Sequence, residues 1–171
     1  YHGKGGPLGV SQPSAPLPIC EAWFAAAAQM GIPRNHDMTG AAQDGVGYYQ
    51  LTQRNARRSS AAMAYLAPAK GRANLTVRTG AQVKRILFEK GKAIGAEMLD
   101  GTRHLAEREV ILSSGAIGSP RMLMLSGIGP ADHLTSVGIA PVFDQPGVGS
   151  NLQDHVDLFV IAECTGDHTY D

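Results

Sequence analysis

Residues 109–116, Glu-Val-Ile-Leu-Ser-Ser-Gly-Ala, run an apolar stretch into four residues with almost no side chain. Small residues at the carboxyl end of a buried strand let another group approach the backbone closely. In open α/β sheets, ligands lie outside those strand ends. Ser113, Ser114, Gly115 and Ala116 therefore read either as a ledge for a ligand or as a tight strand-to-helix turn, and the residues alone leave both open. Ser119-Pro120 next predicts a helix start, a cap followed by a first-turn proline. That helix N-terminus could draw an anion, although Ser119 capping its own helix explains the same residues.

Other chemistry-bearing spacings are incomplete. A nucleophile elbow needs G-x-S-x-G, but Met124 stands where the first glycine of the nearest candidate should be. A phosphate loop needs Gly-Lys followed by Ser or Thr, and Gly91-Lys92 is followed by alanine. The dinucleotide fingerprint fails at residues 3–9, where Leu8 takes the last glycine slot. Asp154, His155 and Asp157 lack a further ligand cluster and read as surface or capping groups, so no metal is expected. No two of the six histidines are spaced i, i+4.

The elements that must position these residues form a mixed α/β set. Residues 18–30 predict a helix with Pro18 in its first turn, Gly31 at its stop and Ile19, Trp23, Ala26 and Met30 on one face. Residues 7–10 could form an edge strand, and residues 47–52 and 74–79 read as strands. Residues 59–70 predict a helix capped by Ser59 or Ser60 and closed near Pro68. Residues 81–99 read as two strands joined at Lys90-Gly91. Residues 109–114 predict a strand buried on both faces. The helix 120–126, with Met122 to Leu125 in a row, should be buried nearly all round and stop at Gly127. Gly129-Pro130 opens another short helix ended by Gly138. Residues 144–151 read as a connector, 151–155 as one helical turn and 156–163 as a strand. Tyr48 and Tyr49 read as packing residues before pocket residues.

The 171 residues carry 15 Lys+Arg against 15 Asp+Glu, a formal net charge of zero that argues against nucleic acid or an anionic membrane surface as partner. Arg54, Arg57 and Arg58 are the one basic cluster and read as a solvated turn. The longest helical apolar run, 22–30, is too short to span a bilayer. Cys20 and Cys164 lie far apart without zinc spacing; a disulfide could join them but nothing in the sequence indicates one, so a reducing, cytoplasmic setting is the default expectation. A chain that opens at Tyr1 inside a Gly-rich loop reads as the interior of a longer protein.

Residues 115–130, Gly-Ala-Ile-Gly-Ser-Pro-Arg-Met-Leu-Met-Leu-Ser-Gly-Ile-Gly-Pro, closely resemble the second signature of the glucose–methanol–choline (GMC) oxidoreductases. Residues 2–11, 40–95 and 146–155 resemble further family segments in the family's order, closest to its choline-dehydrogenase-like branch. The resemblance implies parts of two domains, both incomplete: 1–57 from the substrate-binding region, 58–155 the returning half of a Rossmann-like FAD-binding domain, and 156–171 a re-entry into the substrate domain. It implies FAD as cofactor and oxidation of a small-molecule alcohol by hydride transfer to the flavin, with the electron acceptor unspecified. Val83 aligns with the position whose backbone meets adenine, and Gln82 is its neighbour. Ser113, Ser114 and Gly115 align with the small residues that pass the adenosine portion, which favours the ledge. Asn151, Asp154 and His155 match a family motif with a structural role. No catalytic residue is assigned: the family's G-x-G-x-x-G is expected N-terminal to Tyr1 and its catalytic histidine C-terminal to Asp171. The rival readings are a nucleotide-binding module without catalysis and a purely structural α/β domain.

Overall fold

The computed structural model describes residues 1–161 and 163. The chain divides into two compact units, Tyr1–Thr76 with Val160–Asp171, and Val77–Phe159.

In the first unit, helix α1 (Pro18–Gln29) starts with proline at a position that needs no N–H donor and ends at Gly31, φ +79°. Its buried face is Phe24 and Ala27. The expected face is not the one used: Trp23 is 67% and Met30 78% exposed. The helix is apolar or alanine almost all round, so periodicity did not decide between stripes one residue apart. The partner decided. Tyr48 meets Phe24 edge-on with centroids 4.9 Å apart, and the Arg34 guanidinium lies 3.7 Å over the Phe24 ring. Tyr48 thus packs as expected, while Tyr49 is exposed.

Residues 7–10 and 47–52 form no strand. Ser11 and Leu51 exchange two backbone bonds, 3.0 and 2.9 Å, as an isolated bridge. A short hairpin follows, β1 (Gln53–Arg54) and β2 (Arg57–Arg58), turned by Asn55 and Ala56 at φ +52° and +57°. A π-wound segment, Ala62–Leu66, then runs into the single α-turn α2 (Ala67–Ala69). Of the two candidate caps, the Ser60 Oγ accepts from the Met63 N–H at 3.3 Å, whereas the Ser59 Oγ accepts from Gly9 N–H at 2.8 Å. Pro68 sits inside the last turn, where the wider winding is closed by Ala67 N–H on the Ala62 carbonyl. Residues 74–79 form no strand, because no described segment pairs with them.

The second unit holds an antiparallel meander, β3 (Val83–Glu89), β4 (Lys92–Met98) and β5 (Arg103–Leu105). Lys90 and Gly91 turn the first hairpin at φ +49° and +78°, the two left-handed residues that match strand twist. A Cβ at Gly95 would strike the His104 carbonyl, so glycine lets β5 close on β4. Helix α3 (Gly115–Leu125) packs on β3 and is followed by β6 (Ile128–Gly129), α4 (Ala131–Ser136) and β7 (Phe143–Asp144). β6 and β7 pair in parallel. Leu134 is fully buried, and Gly138, φ +77°, follows the end of α4 as expected.

Five expectations fail here. Residues 109–114 are extended but form no ladder, and Ile111 is 77% exposed: a central strand exists only where neighbours bond both its edges, and none is described. Helix α3 starts at Gly115, not at Ser119, and carries Pro120 inside it. No residue of α3 is buried, and Ile117 is 71% exposed, because β3 covers one side only. Residues 151–155 form no helical turn. Residues 156–161 form no strand, lacking a described partner, with Val156 fully exposed. Ala162, within the expected strand, lies outside the described residues, as does Cys164.

Candidate functional site

Ser113, Ser114 and Gly115 form an open corner at the head of α3. All three are exposed. Gly115 takes φ +84°, and a Cβ built on it meets no atom within 4 Å. The Ser119 Oγ accepts from the Ser114 N–H at 3.1 Å. Ser119 therefore braces the corner from inside the helix, where the sequence suggested a cap. Pro120 cannot donate to the Ala116 carbonyl one turn back, which leaves the first turn of α3 loosely tied to the rest. Ala116 and Ile117 open onto a cleft of 540 Å³ that Arg121, Met124, Asn151 and Leu152 also line.

Gln82 and Val83 stand at the entry to β3. The Gln82 carbonyl accepts from Leu99 N–H at 2.9 Å, and Val83 is half-buried opposite Met98. The exposed Gln82 side chain lines a cleft of 270 Å³ with Arg78, Asp100 and His104. That cleft and the one at Ala116 share no residue. Gln82 and Val83 make no described hydrogen bond to Ser113, Ser114 or Gly115.

Spacing did not reveal what holds the corner in place. Ser126, at the far end of α3, is 7% exposed. Its Oγ accepts from the Ile86 N–H of β3 at 2.8 Å and donates to the Met122 carbonyl at 2.6 Å. Gly127, φ +86°, is the helix stop, and a Cβ there would lie 2.7 Å from Val142 Cγ2 and 2.8 Å from the Ala140 carbonyl. A Cβ on Gly129 would lie 2.9 Å from Met124 Cγ. Ser-Gly-Ile-Gly at 126–129 is therefore a packing knot that binds sheet, helix and β6.

The meander is stapled by one carboxylate. Glu97 on β4 is 6% exposed and pairs with Lys84 and Arg85 of β3 at 3.0 Å each and with Arg103 of β5 at 3.3 Å. The hydrogen bonds from Arg85 and then Lys84 outweigh burial and hold its pKa down at about 2. In the first unit, Arg34 grips Glu21 through two nitrogens at 3.0 and 3.2 Å, and Tyr48 donates its hydroxyl to the same carboxylate at 3.1 Å. Burial, then the Glu21 bond, pushes the Tyr48 phenol up to about 12. Both clusters join residues distant in sequence, so no local spacing announced them.

Asp154 accepts from its neighbour's N–H at 2.8 Å in an exposed, irregular segment. Among the described residues, no three His, Cys, Asp or Glu side chains converge as a metal site. Among them too, no helix is long and apolar enough to cross a membrane.

A meander braced against a helix, with a bare corner at the head of that helix, defines a unit of the mixed α/β class. The GMC oxidoreductase family profile matches residues 4–157, and the chain belongs to that family. It is 46% identical over 168 residues to the mitochondrial choline dehydrogenase of Mus musculus, covering 96% of this chain and 28% of that one. It is 45% identical over 172 residues to the oxygen-dependent choline dehydrogenase of Pseudomonas putida, covering 96% and 30%. Among solved structures, pyridoxine 4-oxidase from Mesorbium loti superposes with a TM-score of 0.79 at 37% identity over 85% of this chain and 29% of that one. An FAD-dependent oxidoreductase from Chaetomium thermophilum superposes at 0.82 with 34% identity over 89% and 27%. The chain thus spans less than a third of the length of these relatives.

Proposed function

We propose that this chain supplies the nucleotide-side wall of an FAD-dependent enzyme that oxidises a small alcohol of the choline type. Membership of the GMC family supports the class, and the open corner at Ser113–Gly115 carries the assignment of this chain's part in it. The fit is steric. A flat cofactor can reach the backbone here because Gly115 has empty space where a side chain would stand and the two serines are exposed. A valine at any of the three positions would fill that approach. Ser119 keeps the corner's shape through its bond to Ser114. Val83 would offer its backbone, and Gln82 its side-chain amide, to the adenine end.

When bound, FAD would supply the hydride acceptor for oxidation of the alcohol carbon. The task of this chain is then to orient the cofactor and keep its nucleotide end fixed, and we assign none of its residues to proton transfer. We further assign residues 1–57 to the substrate-binding region, 58–155 to the cofactor domain and 156–171 to a second substrate-domain segment. The setting we infer is cytoplasmic, because two cysteines in 171 residues do not make the cysteine-dense framework of a small secreted domain.

Titration of the intact apoprotein with FAD, followed by quenching of flavin fluorescence, tests this reading. Ser113→Val, at an exposed position of the same corner without left-handed backbone, should weaken binding at least tenfold while far-ultraviolet circular dichroism stays unchanged. Ser136→Val, on the exposed face of α4, should leave affinity as it was. Equal affinity of the Ser113→Val and native proteins overturns the assignment.

A further inference from the structure

We propose that the cleft lined by Arg54, Arg57, Arg58 and Ser59 binds a phosphate group carried on a small organic body. The cleft encloses 410 Å³ and lies within the first unit. Three arginines line it, and no acidic residue does. None of the ion pairs among the described residues involves any of the three. The deficit of negative charge is wider than the cleft: residues 45–88 contain eight Lys and Arg and no Asp or Glu, in a chain whose total is balanced.

The backbone brings these charges together at a cost. Arg54 and Arg57 are directly opposed across the β1–β2 hairpin, and like charges at opposed positions repel. The turn that sets this register puts Ala56 at φ +57°, a left-handed conformation that favours glycine. An anion held between the arginines turns the repulsion into attraction.

Several contacts also pre-arrange the donors. Arg54 is tethered by its Nη2 donating to the Gly6 carbonyl at 3.2 Å, and Gly9 packs so closely that a Cβ there would lie 2.7 Å from the Arg54 Cβ. Ser59 is 8% exposed, and its Oγ accepts from Gly9 N–H. Its hydroxyl proton has no described acceptor, which leaves a buried donor at the cleft wall. Arg57 and Arg58 are exposed and make no described side-chain bond. Arginine forks match phosphate oxygens two at a time. Pro7, Met63 and Ala64 complete the lining with apolar surface, which suits an organic substituent on the phosphate better than the bare ion. The three arginines, read from the sequence as a solvated turn, thus become a candidate anion site through their shared cleft.

Isothermal titration of the intact, FAD-loaded protein with phenyl phosphate and with inorganic phosphate tests the proposal, with sodium chloride holding ionic strength constant. Phenyl phosphate should bind, and more tightly than inorganic phosphate. Arg57→Gln should weaken it about tenfold. Arg57→Lys, which keeps the charge and loses the fork, should weaken it by a smaller factor. Four results overturn the proposal. The first is no heat of binding at matched ionic strength. The second is equal affinity for the two phosphates. The third is unchanged affinity in an Arg57→Gln/Arg58→Gln double variant whose circular dichroism is native. The fourth is displacement of FAD by phenyl phosphate, which would make this the cofactor's own site.

Discussion

Replacing Ser126 by alanine isolates one buried donor. Ser126 Oγ and the Ile86 N–H meet at 2.8 Å, with residue exposures of 7% and 6%. The Met122 carbonyl, which accepts the Ser126 hydroxyl, also accepts the Ser126 backbone N–H at 3.1 Å, so it keeps a partner in the variant. The Ile86 N–H points away from its ladder partner strand and loses its only described acceptor. A buried donor left unpaired costs about 1–3 kcal/mol, and the methyl of alanine recovers little. We expect a loss of about 2 kcal/mol. For a protein of this size that lowers the midpoint of thermal unfolding by roughly 4–8 °C. The same deficit should speed exchange of the Ile86 amide about 30-fold if local opening governs it. Chemical denaturation with amide exchange read by NMR measures both. Ser136→Ala is the control: its hydroxyl bonds the His133 carbonyl at 2.7 Å on an exposed turn, and the change should stay within about 0.5 kcal/mol. A loss that small for Ser126→Ala, with the Ile86 amide still protected, would refute the reasoning.

Gly127→Ala combines a left-handed residue with a Cβ 2.7 Å from Val142 Cγ2. It should destabilise by about 2–4 kcal/mol, measured as a shift in the urea midpoint, and a change under about 1 kcal/mol would contradict the packing described. Acid should weaken the meander through Glu97. Its carboxyl titrates near 2 when folded, against 4.5 when free. The stabilisation from its ion pairs is therefore complete above 4.5 and fades as the pH falls from there through about 2. Denaturation midpoints taken across that window should fall more steeply for the native protein than for Glu97→Gln, and parallel curves would exclude the carboxylate as the cause.

Features that depend on a few adjacent residues were legible in the sequence. Lys90-Gly91 specified its hairpin turn, Pro18 and Gly31 bounded α1, and Gly127 and Gly138 ended their helices, because each acts through its own φ. Features that depend on a partner were not. Residues 109–114 carry a strand's apolar composition, but a strand is a relation between two segments. Ser119 and Pro120 matched a helix start by type, yet Gly115 one turn earlier had the conformation to open the helix first. The stripe of α1 was misplaced because alanine makes neighbouring faces equivalent until Tyr48 and Arg34 choose one. The corner at Ser113–Gly115 was visible as a run of small residues. Its anchor at Ser126 was not, since the Ile86 amide lies 40 positions away.

That separation makes α3 a lever. Eleven residues of helix span about 16 Å, with the far end bolted to the meander through Ser126 and the near end carrying the corner. Pro120 removes one rung between them, so the corner's turn has more play than the bolted end. Stiffness at the corner is therefore adjustable at a single position outside the buried core. Drift at residue 120 therefore changes how firmly that turn is held while the bolt at Ser126 stays as it is.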